Sequence, residues 1–136
     1  MKSVLIRDYM TRNVLSLDPD MEISAATQFL VMNDISGAPV LDKHGRLVGI
    51  LTERDCIKVV VHAGYHDTLY GLVREYMTTN PESVSPEQSI LTLAEKFIRG
   101  KFRRYPVLDN GRLVGVVSRR DVLRVLVDKS AQFTPS

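Results

Sequence analysis

Two short segments of this 136-residue chain place a hydroxyl residue three positions before a carboxylate. They are Thr52-Glu-Arg-Asp55 and Ser118-Arg-Arg-Asp121, and each joins an apolar strand-like run to a helix-like run. This spacing is typical of a capping box, in which both side chains bond to free amides at a helix N-terminus. A helix N-terminus also attracts phosphate, and a nearby carboxylate accepts hydrogen bonds from a ribose diol. The segments therefore predict a structural cap, a nucleotide site, or both.

A pair of arginines distinguishes the second half of the chain from the first. Arg103 and Arg104 precede the apolar run 105–109, whereas Ser36 and Gly37 occupy the corresponding positions of the first half. A guanidinium group binds phosphate oxygens bidentately. Most arginines are instead solvated surface charges. The pair predicts either a phosphate contact or an ordinary exposed surface.

The two segments occur twice because the chain contains an internal duplication. Residues 6–43 align with 73–110, and residues 45–61 align with 111–127 when His44 is skipped. Of the 55 aligned positions 21 are identical, far above the level expected for unrelated sequences. We therefore predict repeat 1 at 1–61, a connector at 62–71, repeat 2 at 72–127 and a C-terminal tail at 128–136.

Each repeat is predicted to fold in the order β-α-β-β-α, which gives an α/β (α+β) protein of two repeats packed about a pseudo-twofold axis. The strands at 38–42 and 105–109 each begin a hairpin, and Asn110-Gly111 is typical of its tight turn. The closing helices contain many bulky apolar residues, which predicts burial between the repeats. The first helix of each repeat has an apolar stripe, formed by Ile23, Ala26, Leu30 and Val31 in repeat 1 and by Ile90, Leu93, Ala94, Phe97 and Ile98 in repeat 2.

Composition narrows the class of protein. With 44% hydrophobic and 25% charged residues and a net charge of +2, the chain is typical of a globular domain and too weakly basic to indicate nucleic-acid binding. Its single cysteine, Cys56, excludes an internal disulfide and predicts a reducing cytoplasm. The sequence shows neither the pattern of a signal peptide nor an apolar run of 18 residues, so we do not expect it to span a membrane. His62 and His66, with Asp67, make a poor metal site, and no nucleophile–base pair indicates an enzyme.

Two longer segments resemble a known family. The sequences SGAPVLDKHGRLVGILTERD at 36–55 and RRYPVLDNGRLVGVVSRRD at 103–121, each preceded by a Tyr-Met-Thr segment, resemble the cystathionine β-synthase (CBS) domain. The resemblance covers residues 4–127, and a tandem pair of such domains is called a Bateman module. It implies a non-enzymatic regulatory module that binds AMP, ADP or ATP, or else S-adenosylmethionine or NAD, in clefts between the copies. It also implies a homodimer that signals to a protein partner.

The resemblance also implies roles for individual residues. Asp55 and Asp121 match ribose-binding aspartates, and Thr52 and Ser118 match the neighbouring hydroxyl. Arg103 and Arg104 match a basic pair that contacts phosphate, here of the nucleotide whose ribose Asp55 would hold. The positions around base and ribose are matched by Thr11, Leu15, Ser36, Gly37, Ala38, Thr78 and Tyr105.

The two copies are not equivalent at these positions. Glu82 in repeat 2 takes the place of the apolar Leu15, and a carboxylate there repels phosphate. We therefore expect unequal sites, with the first-copy site the better nucleotide binder.

Two other functions compete with nucleotide sensing. A ligand-independent dimerisation or scaffold module would use the aspartates only as helix caps. Nucleic-acid binding through Arg103, Arg104, Arg119 and Arg120 would need an extended basic face and steep salt dependence, and the sequence shows no alternation of aromatic and basic residues.

Overall fold

The structure, a computed structural model, describes residues 4–66 and 70–132, and within them the chain forms five α-helices and five strands. A 3₁₀ turn at Ile6–Asp8 precedes them. The helices are α1 (Ile23–Met32), α2 (Glu53–His66), α3 (Val73–Tyr76), α4 (Ile90–Arg99) and α5 (Arg119–Gln132). The strands are β1 (Gly37–Leu41), β2 (Leu47–Thr52), β3 (Thr78–Thr79), β4 (Arg104–Asp109) and β5 (Arg112–Ser118).

The chain packs into two compact units whose boundaries differ from those of the repeats. Unit 1 combines Met1–Val14 with Glu82–Ser136, and unit 2 comprises Leu15–Pro81. The opening segment of repeat 1 therefore belongs to the unit built mainly from repeat 2. The opening segment of repeat 2 likewise belongs to the unit built mainly from repeat 1.

Unit 2 is built on the hairpin of β1 and β2, which pair antiparallel with Gly37 opposite Thr52. Strand β3 adds to the other edge of β2, also antiparallel, with Thr78 opposite Ile50. Helices α1 and α2 contribute apolar side chains to the core. The buried core consists of Leu17, Ile23, Ala26, Leu30, Ala38, Val40, Leu51, Cys56, Val59 and Val73.

Unit 1 repeats this arrangement on the antiparallel hairpin of β4 and β5. The Thr11 amide donates to the Val116 carbonyl oxygen at 2.8 Å, and the Val116 amide donates back to the Thr11 carbonyl oxygen at 3.0 Å. This single bridge stands where unit 2 has β3. The buried core consists of Ile6, Met10, Val84, Ile90, Leu93, Phe97, Tyr105, Val107, Val117 and Val125.

The predicted hairpins are confirmed. Asn110 and Gly111 both have positive φ, 52° and 81°, as a two-residue turn of this kind requires. In the other hairpin the Asp42 carboxylate accepts the amides of Arg46 and His44, and these bonds lower the pKa of Asp42. The predicted opening strand is present in repeat 2 as β3, but in repeat 1 it shortens to the isolated bridge at Thr11.

The apolar stripes are narrower than predicted. Val31 and Ile98 are 74% and 85% exposed, whereas Leu30 and Phe97, the residues just before them, are buried. One step along a helix rotates the side chain by about 100°, so each of these residues passes beyond the edge of the buried face. The closing helices are also less buried than predicted: Cys56, Val59 and Val125 are buried, but Ile57, Val60, Val61, Leu123, Leu126 and Val127 are exposed.

Both closing helices are longer than their apolar runs. Helix α2 continues to His66, through the first half of the predicted connector, and α5 continues to Gln132, into the predicted tail. Once packing has nucleated a helix, each further residue is added at little cost, even where its own helix propensity is modest. Residues 67–69 and 133–136, and with them Asp67, lie outside the described residues.

One buried hydroxyl in the core of unit 1 gives a testable prediction. Among the described residues, Tyr105 Oη is the buried side-chain polar atom without a protein hydrogen-bond partner, and burial raises the pKa of Tyr105. An unpaired buried polar group costs about 1–3 kcal/mol. Tyr105→Phe is therefore expected to raise the free energy of unfolding by about 1 kcal/mol, measured by urea denaturation.

The control for this substitution is Tyr9→Phe in the same unit. The Tyr9 hydroxyl donates to Asp128 Oδ2 at 2.7 Å in an exposed position, so its removal is expected to leave stability unchanged or slightly lower. A loss of stability in Tyr105→Phe as large as in Tyr9→Phe, or larger, would contradict the prediction.

Candidate functional site

The candidate site of unit 2 is centred on a complete capping box at the start of α2. Asp55 Oδ2 accepts from the Thr52 amide at 2.9 Å and from Thr52 Oγ1 at 3.0 Å. In return the Asp55 amide donates to Thr52 Oγ1 at 3.2 Å. Asp55 is only 3% exposed. The structural role predicted for this pair is therefore confirmed, and it occupies one of the two carboxylate oxygens.

Unit 1 contains the same kind of capping box at the start of α5. Asp121 Oδ2 accepts from the Ser118 amide at 2.7 Å and from Ser118 Oγ at 3.1 Å, and the Asp121 amide donates to Ser118 Oγ at 3.4 Å. Asp121 is 6% exposed. Up to this point the two sites are equivalent, because the duplicated sequence places the same residue types at the same helix ends.

The second carboxylate oxygen distinguishes the two sites. Asp55 Oδ1 has only distant neighbours, Thr78 Oγ1 at 3.5 Å and the Lys58 ammonium at 3.8 Å. Asp121 Oδ1 instead forms a close ion pair with the Arg124 guanidinium, which also donates to the Tyr9 carbonyl oxygen at 3.0 Å. Asp55 therefore has an acceptor that a ligand hydroxyl can use at little cost. The matching acceptor on Asp121 is already taken by a cation.

The segment exchange brings Thr78 to Asp55. Thr78 belongs to repeat 2, yet β3 pairs with β2 and lies in the same unit as Thr52 and Asp55. Its counterpart Thr11 lies in unit 1, bonded through its backbone to Val116. Thr78 and Thr11, both predicted to lie around the ligand, are thus each placed by a contact with the other repeat.

Residues of the β1 strand complete the surroundings of Thr52. Gly37 lies opposite Thr52 in the β1–β2 ladder, and the Ser36 carbonyl oxygen accepts the Glu53 amide at 2.9 Å. Leu15 is about half exposed. A Cβ on Gly37 would lie 3.0 Å from the Leu51 carbonyl oxygen, so a larger residue here would press against the backbone of β2.

The side chains of Ala38 and Tyr105 face the hydrophobic cores of their units and are almost completely buried. The Tyr105 ring packs against Phe97, with ring centroids 5.1 Å apart. A ligand would reach these two positions only through the main chain. Their predicted place near the base therefore involves backbone groups, not the side chains.

Arg103 and Arg104 are exposed at the start of β4. Arg104 lies opposite Ser118 in the β4–β5 ladder, and the Arg103 carbonyl oxygen accepts the Arg119 amide at 3.1 Å. The ladder thus brings the arginine pair beside Arg119 and Arg120 at one end of unit 1. Among the described residues, none of these four guanidinium groups forms an ion pair within the chain.

Glu82 is less repulsive toward phosphate than its sequence position suggests. Its carboxylate pairs with the Lys96 ammonium at 3.5 Å, and Lys96 also lies 5.0 Å from the centroid of the Tyr105 ring. This pairing offsets part of the negative charge. The stronger difference between the sites comes from Lys58 and Arg124, which the sequence analysis did not single out. Their signal was the spacing of three residues from each aspartate, which puts a cation on the same helix face.

Nowhere in residues 4–66 and 70–132 do three His, Cys, Asp or Glu side chains come together as a metal site would require. Within the same ranges no helix has both the length and the apolar character needed to cross a bilayer.

Two hairpin-and-helix units, each with a Thr/Ser-x-x-Asp cap and an exchanged opening segment, define a tandem-repeat class of α+β module. A model of the CBS domain matches residues 6–62 and 73–128, so the chain belongs to the CBS-domain family and contains a pair of these domains. The resemblance noted in the sequence is confirmed.

Relatives support the fold over nearly the whole chain. CBSX2 from Arabidopsis thaliana, crystallised with AMP, has a TM-score of 0.83 at 26% identity, covering 93% of this chain and 98% of that one. The CBS domain pair of MJ0100, crystallised with 5′-methylthioadenosine and S-adenosyl-L-methionine, has a TM-score of 0.78 at 26% identity, covering 94% and 99%.

One relative is considerably longer than this chain. Protein MJ1225 of Methanocaldococcus jannaschii is 27% identical over 121 residues, which are 89% of this chain and 42% of that protein. The chain thus spans less than half the length of this relative. Nothing in that relative's name assigns a ligand.

Proposed function

We propose that the chain is a regulatory module that binds an adenosine-type ligand, with AMP, ADP or ATP favoured over S-adenosylmethionine and NAD. The observation that supports this most is the state of Asp55. Its Oδ2 completes the helix cap while its Oδ1 has no partner closer than 3.5 Å. A buried carboxylate oxygen in that state is a strong acceptor for a ribose hydroxyl.

In this proposal the phosphate group of the ligand binds to the pair Arg103 and Arg104. Arg103 and Arg104 are exposed and unpaired among the described residues, and a guanidinium binds phosphate oxygens bidentately. That these side chains reach the phosphate of a nucleotide held by Asp55 stays a prediction. Support comes from two structural neighbours, one crystallised with AMP and the other with two adenosine-containing ligands.

Regulation would follow from ligand binding through linkage. A ligand that prefers one conformation of the pair shifts the population toward it, and a protein partner that prefers the same conformation senses the change. We propose that the module acts as a homodimer in the cytoplasm and has no catalytic step of its own.

The capping boxes favour a second candidate, a ligand-independent dimerisation or scaffold module. Both aspartates already have a complete structural role at the helix ends. If that role were their only one, the chain would need no ligand at all.

Thermal unfolding with a ligand panel tests the proposal. A ligand at 100 times its dissociation constant stabilises the folded state by about 2.7 kcal/mol, which raises the midpoint by several degrees. We expect a shift with at least one of AMP, ADP, ATP, S-adenosylmethionine and NAD. No shift with any of them would reject ligand sensing and favour the scaffold.

The arginine assignment is tested by comparing AMP with adenosine. The double variant R103A/R104A is expected to lose most of the extra affinity that the wild-type protein has for AMP over adenosine. Arg112→Ala, which removes an exposed arginine at the far end of β5, is the control and is expected to preserve that difference. Equal AMP affinity in R103A/R104A and wild type would contradict the assignment.

A further inference from the structure

The Arg124 side chain joins two parts of unit 1 that lie far apart in the sequence. Its guanidinium forms a close ion pair with Asp121 Oδ1, three residues earlier on α5. The same group donates to the Tyr9 carbonyl oxygen at 3.0 Å. Tyr9 lies in the opening segment that unit 1 takes from repeat 1. One side chain therefore bonds both to the closing helix and to the exchanged segment, and we call it with its two acceptors the Arg124 latch.

The opening segment is held in a position that gives Arg124 its second acceptor. The Tyr9 hydroxyl donates to Asp128 Oδ2 on α5 at 2.7 Å. Two residues further along, Thr11 and Val116 exchange two backbone hydrogen bonds. Because the segment is attached to α5 and to β5, the Tyr9 carbonyl oxygen stays within reach of the guanidinium. Two acceptors in fixed places then set the direction of the Arg124 side chain.

Unit 2 has a different cation at the matching position. Lys58 aligns with Arg124, and Asp55 aligns with Asp121. The Lys58 ammonium stays 3.8 Å from Asp55 Oδ1. An ammonium group is a compact point charge, whereas a guanidinium presents its donors in a planar fork that bonds to two acceptors together. The residue type at this position therefore accounts for a loose contact in one unit and a close one in the other.

The start of α5 does not need the ion pair. Asp121 Oδ2 already accepts from the Ser118 amide and hydroxyl, so the capping box is complete without Arg124. The ion pair uses Oδ1, the atom whose counterpart on Asp55 would accept the ribose hydroxyl in the proposed function. A guanidinium has only donors to offer, and it occupies the place of a donating hydroxyl. Since Asp121 is almost completely buried, Oδ1 has little open surface for a second donor.

We propose that Arg124 is a specificity-determining residue that keeps the Asp121 site of unit 1 closed to a ribose hydroxyl. The hydroxyl and the guanidinium compete for Oδ1, and the ligand enters only when the exposed Arg124 side chain swings into solvent. The chain thus has one open carboxylate, on Asp55, and one latched carboxylate, on Asp121. The inference rests on the proposed function, because it takes ribose to be the group that these aspartates bind.

Opening the latch in a chain without the first site tests the proposal as a gain of binding. D55A removes the open carboxylate, and Arg124→Met then removes the competing donors while it keeps an aliphatic side chain. Adenosine is the probe, since it has the ribose diol and no phosphate. By isothermal titration calorimetry, D55A/R124M is expected to bind adenosine about tenfold more tightly than D55A, the factor that one hydrogen bond to a charged group supplies. The triple variant D55A/D121A/R124M is expected to lose this gain.

Arg99→Met is the matched control. Arg99 also forms an ion pair on a helix of unit 1, with Glu95 at 3.3 Å, but the pair does not include Asp121. D55A/R99M is therefore expected to bind adenosine no more tightly than D55A. Circular dichroism confirms that each variant is folded. Arg124→Lys, which introduces the residue type of the open site, is the second variant and is expected to change the affinity in the same direction as R124M.

The possible results separate the latch from the proposed function. Binding of adenosine or AMP by the wild-type protein, with no gain in D55A/R124M or D55A/R124K, would overturn the latch alone. Absence of AMP and adenosine binding in the wild-type protein and in both latch variants would overturn the proposed function as well. A gain that survives Asp121→Ala, or one that Arg99→Met reproduces, would also overturn the latch, because the new binding would then not use the released carboxylate.

Discussion

Asp55→Ala is expected to weaken AMP binding by about tenfold to a hundredfold, because a hydrogen bond to a charged group contributes about 1.5–3 kcal/mol. The acceptor lost is Asp55 Oδ1, which has no neighbour closer than Thr78 Oγ1 at 3.5 Å. Isothermal titration calorimetry of the purified variant gives the affinity directly. The same experiment ranks the two sites, because the matched change at Asp121 removes an oxygen already paired with Arg124.

Asp121→Ala is the control that separates binding from folding. Both aspartates complete a capping box, so both substitutions are expected to cost about 1 kcal/mol of stability. Only Asp55→Ala is expected to lose affinity. Loss of AMP binding in Asp121→Ala with wild-type binding in Asp55→Ala would reverse the ranking of the sites. Equal affinities of two sites in the wild-type protein would also contradict it.

Gly49→Ala is expected to destabilise the protein by about 1–3 kcal/mol through overpacking. A Cβ at this position would lie 2.6 Å from Met77 Sδ and 2.9 Å from the Thr78 carbonyl oxygen. The sulfur can move, but the carbonyl belongs to β3, which pairs with β2 at this point. The strand from repeat 2 must therefore shift away, and the contact that brings Thr78 to Asp55 shifts with it.

Gly64→Ala is the matched control for this substitution. Gly64 lies inside α2, and a Cβ there would meet no atom within 4 Å. Alanine is better than glycine inside a helix by about 0.5–1 kcal/mol, so Gly64→Ala is expected to be stabilising. Urea denaturation of both variants gives the comparison. A Gly49→Ala protein as stable as wild type would show that β3 is not held closely against β2.

Local and repeated features of the fold were predictable from the sequence. The duplication, the Asn110-Gly111 turn and both capping boxes depend on residues within a few positions of each other, and the structure confirms them. The buried residues of the first helices were mostly predictable for the same reason. Val31 was not, since a hydrophobic type at the edge of a stripe does not show which side of that edge is buried.

The exchange of opening segments was not predicted, because it depends on which of two equivalent hairpins each segment joins. Thr78 pairs with Ile50 rather than with its own repeat, and both choices satisfy the same backbone hydrogen bonds. A signal was nonetheless present in the sequence. Gly49 and Gly115 lie inside strand patterns, and such glycines often mark the close approach of another backbone segment.

The sequence predicted that the two sites differ, but it pointed to only part of the cause. Glu82 in place of Leu15 was the reason to expect unequal sites, but the Glu82 carboxylate pairs with Lys96. The larger difference arises where Lys58 and Arg124 lie, since only Arg124 closely engages its aspartate. Residue types alone did not distinguish these two cations. Whether each one engages its aspartate closely depends on side-chain conformation and surrounding contacts.

The exchanged segments mean that the covalent link between the repeats is not what holds the two halves of the sequence together. If the chain were severed within 67–69, the first fragment would still supply Met1–Val14 to unit 1 and most of unit 2. The second fragment would supply the rest of both units. The first fragment lacks strand β3 of unit 2, and the second fragment lacks the Thr11 segment that bridges to Val116 in unit 1, so each fragment completes the other. The duplicated halves thus behave as interlocked partners, so an ancestor of half the length would have needed a second molecule to finish its own sheet.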